Sequence, residues 1–387
     1  MKLTLLIGVV AQTALGLAYI HPGLLHNAAD IKRINGFVTA GVEPQLTSWN
    51  KLAAQVNANY VPLATDTICT GASWCAVKNP SLLYRDAYQA YIHAVYWAVT
   101  GDTAIGDTAA RILDAWSSTW TTLTGDTNQY LLAGLQGYQF ANAAELLRGY
   151  SGWTGLAATI EMLETIVLPK NVFYTAEHIG WGDSHWANWG LCNLASQFAI
   201  GVLSENTTAV NDALDVFLNG NYSEAITHAI SFIYAEEGTG KSLGQGQESG
   251  RDQGHSTLDF SLLAMLAQQA WNQGVDLFGA EDNRILAGAE YTFKYNLGHD
   301  VPFTAYTFLD IEMTEISSAS RGSLRPCAEL LIAHYQDIKG LDASWTVAYR
   351  DAVNAICDGV ECGGPDYGTT SGAYDQPGFG TALFRLK

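Results

Sequence analysis

The sequence predicts a single all-α domain in which helical hairpins of similar length form a toroid. Apolar residues recur at helical spacing through most of the chain, and short turns rich in glycine and aspartate separate the apolar segments. The alternation of apolar and polar residues that marks a strand is scarce. No proline-rich or serine-rich linker divides the chain, so we expect residues 19–387 to form one domain.

The helical spacing defines the expected helices in order. They lie over residues 83–97, 112–120, 141–147, 156–167, 185–203, 210–218, 222–234, 258–271, 283–295 and 327–335. The first of them stops at Thr100-Gly101-Asp102, because glycine and aspartate favour helix ends and starts. The tail over residues 341–387 lacks the pattern and becomes rich in glycine, tyrosine and threonine. We expect this tail to be short, irregular or extended, and packed on the body.

Composition excludes several classes of protein. The 387 residues include 38 Asp and Glu against 19 Lys and Arg, which gives a formal net charge of −19. Because nucleic-acid binding depends on cationic contacts to phosphate, this balance argues against a nucleic-acid partner. With 48% hydrophobic and 15% charged residues the chain is not disordered. Its many aromatic residues suit sugar binding.

The N-terminus has the features of a secretory signal peptide. Lys2 precedes a short apolar stretch over residues 5–11, and small residues precede a cut after Ala18. The apolar stretch is too short to span a bilayer, and no later stretch reaches the length of about 18 apolar residues that a span needs. We therefore expect residues 1–18 to be removed and the mature protein to be secreted, extracellular and not bound to a membrane.

The six cysteines, an even number, suit an oxidising compartment. Two pairs are close enough in sequence to close local loops: Cys69 with Cys75, and Cys357 with Cys362. By elimination, Cys192 and Cys327 remain as a long-range pair. None of the six has the paired CxxC spacing of a zinc site. Asn206 and Asn221 begin N-glycosylation sequons, so we expect glycans and a surface position there.

One polar segment departs from helical packing. Residues 237–255 interleave six glycines with Lys, Gln, Glu, Arg, Asp and His. Its GKS triplet at 240–242 looks like the end of a phosphate-binding loop, but Ala235 stands where the first glycine of that motif belongs. If the second half is helical, Glu248 and His255 share one face with the Arg or Asp between them. A carboxylate, a cation and an imidazole on one face favour a chemical role over a solvated turn.

Six short motifs together resemble a known family. They are QESGRDQGH (247–255), AWNQGVDL (270–277), YTFKYNLG (291–298), HPGLLH (21–26), YWAVTGD (96–102) and RGSLRP (321–326). The first is specific and the others are individually weak. Over residues 21–340 the chain resembles the alginate-lyase-like polysaccharide lyases of the chondroitin AC and alginate lyase superfamily. The resemblance implies an incomplete (α/α) toroid with a sugar-binding groove, and β-elimination of a 1,4-linked polyuronate without metal or cofactor.

Elimination from a uronate requires three chemical groups. The C5 carboxylate must be neutralised, a base must remove the C5 proton, and an acid must protonate the leaving O4. His255 is the first candidate for the base, because histidine titrates near neutral pH. A tyrosine should be the acid, and Tyr306 has the best position, in a loop after a predicted helix end. Glu248 is expected to face the substrate carboxylate when protonated, or to orient His255 or Arg251 when ionised.

A second polar cluster spans residues 180–190. Related toroid lyases place an Asn–His pair just before a Trp at a helix start, where the pair binds the carboxylate and assists proton removal. His185 with Trp186 fits this pattern, which implies a catalytic role for His185. Asp and Ser occupy positions 183 and 184, where Asn would be expected, so Asn188 is the substitute candidate. We expect the substrate to be bound by Gln247, Arg251, Asn188, Trp186, Trp181 and Arg321, with the tryptophans offering stacking faces to pyranose rings.

Alternatives remain beside the leading hypothesis of a secreted, monomeric lyase that acts on mannuronate-rich alginate. Mannuronate and glucuronate differ only at C2, so a glucuronan lyase is the nearest alternative. A glycoside hydrolase on the same toroid would need two carboxylates across the bond, which Asp183, Glu248 and Asp252 could supply. A non-catalytic carbohydrate-binding protein would need only the aromatic residues.

The net charge constrains the leading hypothesis, because an acidic protein has to bind a polyanion. The few cations must then be concentrated at the groove. Ten of the 19 lie from Lys241 onward, among them Arg251, Arg284, Lys294, Arg321 and Arg325.

Overall fold

The computed structural model describes residues 18–177, 186–308 and 310–387. Helices dominate these ranges, and in chain order they are α1 (Ala28–Ala40), α2 (Gln45–Ala54), α3 (Pro80–Thr100), α4 (Thr103–Thr119), α5 (Asn128–Leu147), α6 (Leu156–Met162), α7 (Leu168–Glu177), α8 (Ala187–Leu203), α9 (Thr207–Asn219), α10 (Ile226–Ala229), α11 (Gln253–Asn272), α12 (Ala280–Asn296), α13 (Ala328–Ile332), α14 (Ser344–Asn354) and α15 (Gly380–Leu383). The all-α prediction is confirmed.

Short strands form three two-stranded sheets among the described residues. Two of them are hairpin-like antiparallel pairs and one is parallel. The strands are β1 (Thr67–Cys69) with β2 (Thr122–Thr124), β3 (Ile230–Ala235) with β4 (Ser242–Gly246), and β5 (Tyr306–Phe308) with β6 (Ile311–Met313). In the β3–β4 pair, Ile233 lies opposite Gly244. The β3–β4 pair leads directly into the polar segment that precedes α11.

The core is built from helices that pack in succession. Helix α5 packs between α3 and α8, α8 packs against α11, and α11 packs against α12, which contacts α14. Nearly every residue of α8 is buried, and α5 is buried from Leu132 to Leu147, because both helices are enclosed by neighbours on several sides. This serial packing of hairpins is the toroidal arrangement, and it leaves helix ends and connecting loops to form the groove.

Local chemistry explains the predicted break between α3 and α4. Gly101 ends α3 with a φ of 74°, a left-handed conformation that glycine adopts without a steric penalty. The Asp102 side chain then accepts a hydrogen bond from the Ala104 backbone N–H and begins α4. The predicted helix end is confirmed.

The predicted helix over residues 222–234 is wrong. Only α10, four residues long, lies there, and the chain continues as β3. Burial along β3 alternates, with Ile230 buried and Ile233 exposed, because one face of the strand turns inward while its backbone pairs with β4. A six-residue strand within an apolar stretch carries too few residues to separate a period of two from helical spacing.

The C-terminal tail is more ordered than predicted. It contains α14 and α15, with short 3₁₀ turns between them, and it packs on the body as expected. The Tyr138 hydroxyl donates to the Asp375 carbonyl at 2.7 Å, and the Gln139 amide donates to the Tyr374 carbonyl at 2.8 Å. These bonds attach residues 371–376 to α5.

The cysteines form the two predicted local disulfides but not the long-range one. Cys69 bonds to Cys75, and Cys357 bonds to Cys362. Cys192 and Cys327 are buried free thiols, which corrects the prediction by elimination. Cys192 lies within α8, where its thiol is 3.1 Å from the Trp189 carbonyl, and Cys327 lies immediately before α13. Burial raises the pKa of both thiols well above its ordinary value, so both stay protonated.

Among the described helices, none combines the length and the apolar character needed to cross a bilayer.

The state of the cysteines can be tested by alkylation without reduction. We expect no rapid alkylation of the folded protein, because both free thiols are buried, and two adducts after unfolding. Mass spectrometry of wild type and of Cys192→Ser should show two adducts and one adduct respectively. A fully disulfide-bonded chain, with no adducts after unfolding, would contradict the structure.

Candidate active site

A groove of about 820 Å³ lies beside the N-terminal end of α11. Its walls come from α3, α5, α8 and α11, from the loop after β1 and from the C-terminal tail. The polar residues that line it include Lys78, Tyr84, Asn188, Asp252, His255 and Arg325. A groove of this size accommodates several sugar rings, since pockets for drug-sized ligands measure about 300–1,000 Å³.

Asp252 fixes His255 at the start of α11. One carboxylate oxygen of Asp252 accepts from the His255 backbone N–H at 2.9 Å, and the other lies 2.6 Å from His255 Nδ1. A carboxylate at that distance keeps the proton on Nδ1, so Nε2 of the neutral ring carries the lone pair. The His255 side chain is 40% exposed and lines the groove. The predicted base is therefore accessible to a substrate and is held in the correct tautomer.

Asp252 itself has a role that the sequence analysis missed. Burial alone would raise the pKa of Asp252, but the hydrogen bonds from His255 and the charge of Arg251 bring it below its ordinary value. Asp252 is therefore ionised at neutral pH and stabilises positive charge on His255 when that ring accepts a proton. The i, i+3 spacing of the two residues at a helix start was the available signal.

Glu248 lies beneath the groove, not in it. The turn between β4 and α11 buries its side chain completely. Its Oε1 accepts from the backbone N–H of Asn188 at 2.9 Å and from the Asn188 side chain at 2.5 Å, and its Oε2 accepts from Arg251 Nη1 at 2.7 Å. Of the two roles expected for Glu248, the structure agrees with the orientation of Arg251 and not with direct contact to the substrate carboxylate, and Glu248 positions Asn188 as well.

Arg251 is also held from its other side. Its guanidinium lies 4.5 Å from the centre of the Trp186 ring, in a cation–π contact, and Trp186 in turn packs against Phe308 at 4.6 Å. The structure thus brings Arg251, Asn188 and Trp186 together, as the sequence analysis predicts. Because Trp186 packs on two neighbours, it positions the guanidinium as well as offering an aromatic surface.

A second buried acid is Asp259. It lies on α11, next to Glu248, which belongs to the turn before that helix. Its side chain is buried, and neither oxygen accepts a hydrogen bond from a donor in the described part of the chain. Burial and the adjacent charge of Glu248 raise the pKa of Asp259 well above its ordinary value. Asp259 therefore keeps its proton at neutral pH beside Glu248, whose carboxyl group pairs with Arg251.

Tyr306 is tied to the same polar segment from the β5 side. Its hydroxyl donates to the Gln247 carbonyl and accepts from the Gly250 N–H at 3.1 Å. Burial raises the pKa of Tyr306 to about 12, although the bonds from Gly250 and Ser249 act in the opposite direction. The phenol therefore keeps its proton at neutral pH. It lines a smaller pocket of about 240 Å³, whose described lining residues differ from those of the groove.

Tyr84 is a groove tyrosine that the sequence analysis did not select. It lies on α3, lines the groove and stacks on Tyr374 of the tail with ring centres 5.1 Å apart. Lys78 and Arg325 are the cations among the described lining residues, and Arg325 lies 3.4 Å from Asp375. Only the fold places Tyr84 near His255, which is 171 positions later in the chain.

Several predicted cations do not reach the groove. Arg321 stacks on the Tyr295 ring at 3.9 Å and donates to the backbone carbonyls of Tyr295 and His299. Arg284 donates to the Ile230 carbonyl, and Lys294 pairs with Glu236 at 2.7 Å. These three side chains stabilise loops and the β3–β4 pair. The predicted substrate contact of Arg321 therefore finds no support in its position.

Two predicted site residues, His185 and Trp181, lie outside the described residues, as do Asp183 and Ser184. Gln247 is described, and its Oε1 accepts from the Ala187 backbone N–H at 3.0 Å, at the start of α8. Its side chain lines the smaller pocket with Tyr306.

No group of side chains in the described ranges offers a complete metal site at the groove. The cluster that comes nearest to a ligand arrangement is Cys357, Cys362 and Asp366, and its two sulfurs are joined in a disulfide. Those sulfurs are not available as thiolate ligands.

Comparison with known proteins agrees with the fold and the motifs. The sequence model described as alginate lyase matches residues 45–301, which is more than half of the chain. No curated protein sequence matches the chain significantly.

Solved structures of alginate lyases share the fold at low sequence identity. An alginate lyase from Bacteroides ovatus superposes with a TM-score of 0.60 at 10% identity, covering 95% of this chain and 100% of that one. A variant of alginate lyase A1-III complexed with a tetrasaccharide gives 0.55 at 15% identity, covering 81% of this chain and 86% of that one. Alginate lyase A1-III from Sphingomonas species A1 gives 0.50 at 14% identity, covering 92% and 94%.

The proton that Asp259 holds beside Glu248 predicts different effects of two isosteric substitutions on the free energy of unfolding. Asp259→Asn removes the need to hold a proton and leaves an amide that can donate to Glu248, so we expect no loss of stability at neutral pH. Glu248→Gln keeps one acceptor oxygen, but it removes the charge that pairs with Arg251 and turns an NH₂ group toward either Arg251 or Asn188, so it should cost about 3 kcal/mol. Denaturant unfolding at pH 7 measures both free energies.

The same pair predicts the direction of a pH dependence. Because the pKa of Asp259 is raised on folding, the native state holds a proton that the unfolded chain has lost, and the contribution of Asp259 to stability falls as pH rises above about 4, the unfolded value. The gain from Asp259→Asn over wild type should therefore grow with pH, by at most about 1.4 kcal/mol per unit for one proton. A pH-independent difference would show that Asp259 holds no proton in the folded state.

Proposed function

Because the chain belongs to the alginate lyase family and is a polysaccharide lyase, we propose that it cleaves 1,4-linked polyuronates by β-elimination, with mannuronate-rich alginate as substrate. One observation carries the proposal: the imidazole of His255, oriented by Asp252, lies in the same groove as Asn188. The buried carboxylate of Glu248 holds Asn188 and Arg251 in place. A base and a carboxylate-binding pair are what elimination requires.

The first step is removal of the C5 proton. The Arg251 guanidinium and the Asn188 amide neutralise the substrate carboxylate, which stabilises the negative charge that develops at C5. Nε2 of His255 accepts the C5 proton, and the ionised Asp252 stabilises the imidazolium that results. The electron pair from the C5–H bond forms the C4–C5 double bond.

The second step is departure of the C4 oxygen with protonation of O4. We assign the acid to Tyr306, because the hydrogen bond from the Gly250 N–H stabilises the phenolate left after the proton is given up. Its raised pKa means that the proton is present at neutral pH. Tyr84 lines the groove directly and is the second candidate.

The groove geometry supports a lyase more than a glycoside hydrolase. A hydrolase needs two carboxylates facing the bond. Glu248 is fully buried, and Asp252 is engaged by His255 and by the start of α11, so this pair does not flank a substrate. Glucuronan remains the second candidate substrate, since none of the proposed catalytic groups contacts C2.

We also propose that the protein is secreted as a monomer, with the leader removed after Ala18. The disulfides Cys69–Cys75 and Cys357–Cys362 support an oxidising destination. Asn221 is exposed, while Asn206 is partly buried and caps α9. Asn221 is therefore the more accessible glycosylation site.

The reaction class and the substrate can be tested together. Purified protein is incubated with polymannuronate, polyguluronate and glucuronan, and ultraviolet absorbance of the new C4–C5 double bond is followed. We expect the fastest increase with polymannuronate. New reducing ends without that absorbance would indicate hydrolysis, and no new ends would indicate binding only.

Three substitutions test the roles of the catalytic groups. We expect His255→Ala to lower kcat by at least about 100-fold, since general base catalysis contributes about 10²–10⁴-fold. Tyr306→Phe, which removes only the hydroxyl, should cause a similar loss, whereas Tyr84→Phe should mainly raise KM. If Tyr84→Phe abolishes turnover and Tyr306→Phe does not, Tyr84 is the acid. Full activity of His255→Ala would remove His255 from the mechanism.

A further inference from the structure

The last residues of the chain, 379–387, join its end to its first two helices, and we call them the C-terminal segment. Helix α15, within this segment, packs on α1, α2 and α13. Arg33 of α1 donates to the Leu383 and Arg385 carbonyls, at 2.8 Å each. The C-terminal segment therefore connects the two ends of the helical ring, away from the groove.

Two buried acids hold the C-terminal segment. Glu361 and Glu329 are only 2% and 1% exposed. The Glu361 Oε1 accepts from the Gly380 backbone N–H at 2.8 Å. Glu329 accepts from the Thr381 hydroxyl at 2.7 Å and from the Arg385 guanidinium. The Thr381 hydroxyl oxygen also accepts from the Glu361 backbone N–H at 2.9 Å, so both acids contact the same residue.

The two acids differ in the partners that could stabilise a negative charge. Glu329 pairs with Arg385, and Arg350 of α14 lies 3.8 Å from it. The Glu361 Oε2 is buried and finds no hydrogen-bond partner in the described part of the chain. An ionised Glu361 would therefore bear a desolvation cost that no donor offsets at that oxygen. Burial and the charge of Glu329 raise the pKa of Glu361 to about 8, although the Gly380 N–H and Arg385 act in the opposite direction.

Other titratable groups around the C-terminal segment are neutral where Glu361 titrates. The His26 ring stacks on Phe384, and burial lowers the pKa of His26 to about 4. Burial raises the pKa of the Tyr367 hydroxyl and of the Cys327 thiol well above their ordinary values. The remaining charged groups on the surrounding elements are in ion pairs: Arg33 with Asp30, Lys51 with Asp358, and Lys387 with Asp337.

The raised pKa determines how the attachment depends on pH. When the C-terminal segment detaches, Glu361 reaches water, where a Glu carboxyl loses its proton above about pH 4.3. The attached state still holds that proton up to about pH 8. Detachment therefore becomes easier by up to about tenfold per pH unit between these two values, and no easier above pH 8, where both states are ionised.

We propose that Glu361 makes the attachment of the C-terminal segment pH-sensitive: the segment is held firmly in acid and is released progressively toward neutral and mildly alkaline pH. The release is local, because Tyr138 and Gln139 of α5 bond separately to residues 374 and 375 at the groove. This conformational device lies outside the proposed reaction and does not depend on it.

Hydrogen–deuterium exchange of the amides of residues 382–385 tests the device. These amides donate to the Phe379 and Gly380 carbonyls while the segment is attached. Exchange is compared at each pH from 5 to 9 between wild type and Glu361→Gln, which keeps the acceptor for Gly380 and cannot ionise. The chemical exchange rate is the same for both proteins at one pH. We expect the ratio of the wild-type rate to the variant rate to rise by up to about tenfold per unit to pH 8 and to stay constant above it.

Glu224→Gln is the matched control, because Glu224 is another fully buried acid with a raised pKa and lies against Gly190 of α8. It should leave exchange of residues 382–385 as in wild type. Gly380→Ala, whose methyl group would lie 2.5 Å from the Glu361 Oε1, should speed this exchange at every pH. The device is refuted if the ratio of wild type to Glu361→Gln does not change with pH, if the α5 amides show the same change, or if Gly380→Ala exchanges as wild type does.

Discussion

The carboxylate of Glu248 connects three parts of the chain beneath the groove: the start of α8 through Asn188, its own turn through Arg251, and α11 through Asp259. Burying this charge is costly, and the cost is offset only because each oxygen accepts charge-assisted or backbone hydrogen bonds. The same arrangement limits the adjacent acid, since burial and the neighbouring Glu248 raise the pKa of Asp259 and keep it protonated. The position of the groove donors therefore depends on one buried carboxylate that no substrate reaches.

An acidic protein that binds a polyanion needs positive charge at the binding site, whatever its net charge. The predicted concentration of cations at the groove is only partly confirmed: Lys78 and Arg325 line it and Arg251 lies beside it, while Arg284 and Arg321 stabilise other contacts. Arg251 and Arg325 are partly compensated by Glu248 and Asp375. Under the proposed function, recognition of the polyanionic substrate relies on directed hydrogen bonds at short range, because a chain of net charge −19 repels a polyanion at longer range.

Sequence patterns predicted the features that depend on neighbouring residues and missed those that depend on tertiary packing. Helical spacing predicts long segments such as α3 and α11 correctly. The polar segment 237–255 identified His255, because it holds more polar and charged side chains than a simple turn requires. The prediction from spacing failed over β3, because six residues are too few to distinguish the two-residue period of a strand from the spacing of a helix. Nothing local shows that Glu248 points into the core while His255 points out, since a turn does not specify its inward face. The proximity of Tyr84 to the site depends on the packing of α3 in the ring, which no sequence spacing encodes.

The C-terminal tail bears on the choice between mannuronate and glucuronate, which the proposed catalytic groups do not determine. In the proposed mechanism His255, Arg251 and Tyr306 act on C5, its carboxylate and O4, so discrimination at C2 has to come from other walls of the groove. One such wall is residues 371–375, which lie beyond the family match over 45–301. Hydrogen bonds from α5 attach this wall to the body, and Arg325 joins it to the start of α11 through the Gly254 carbonyl. A rigid wall outside the shared region can change substrate preference without disturbing the chemistry of elimination.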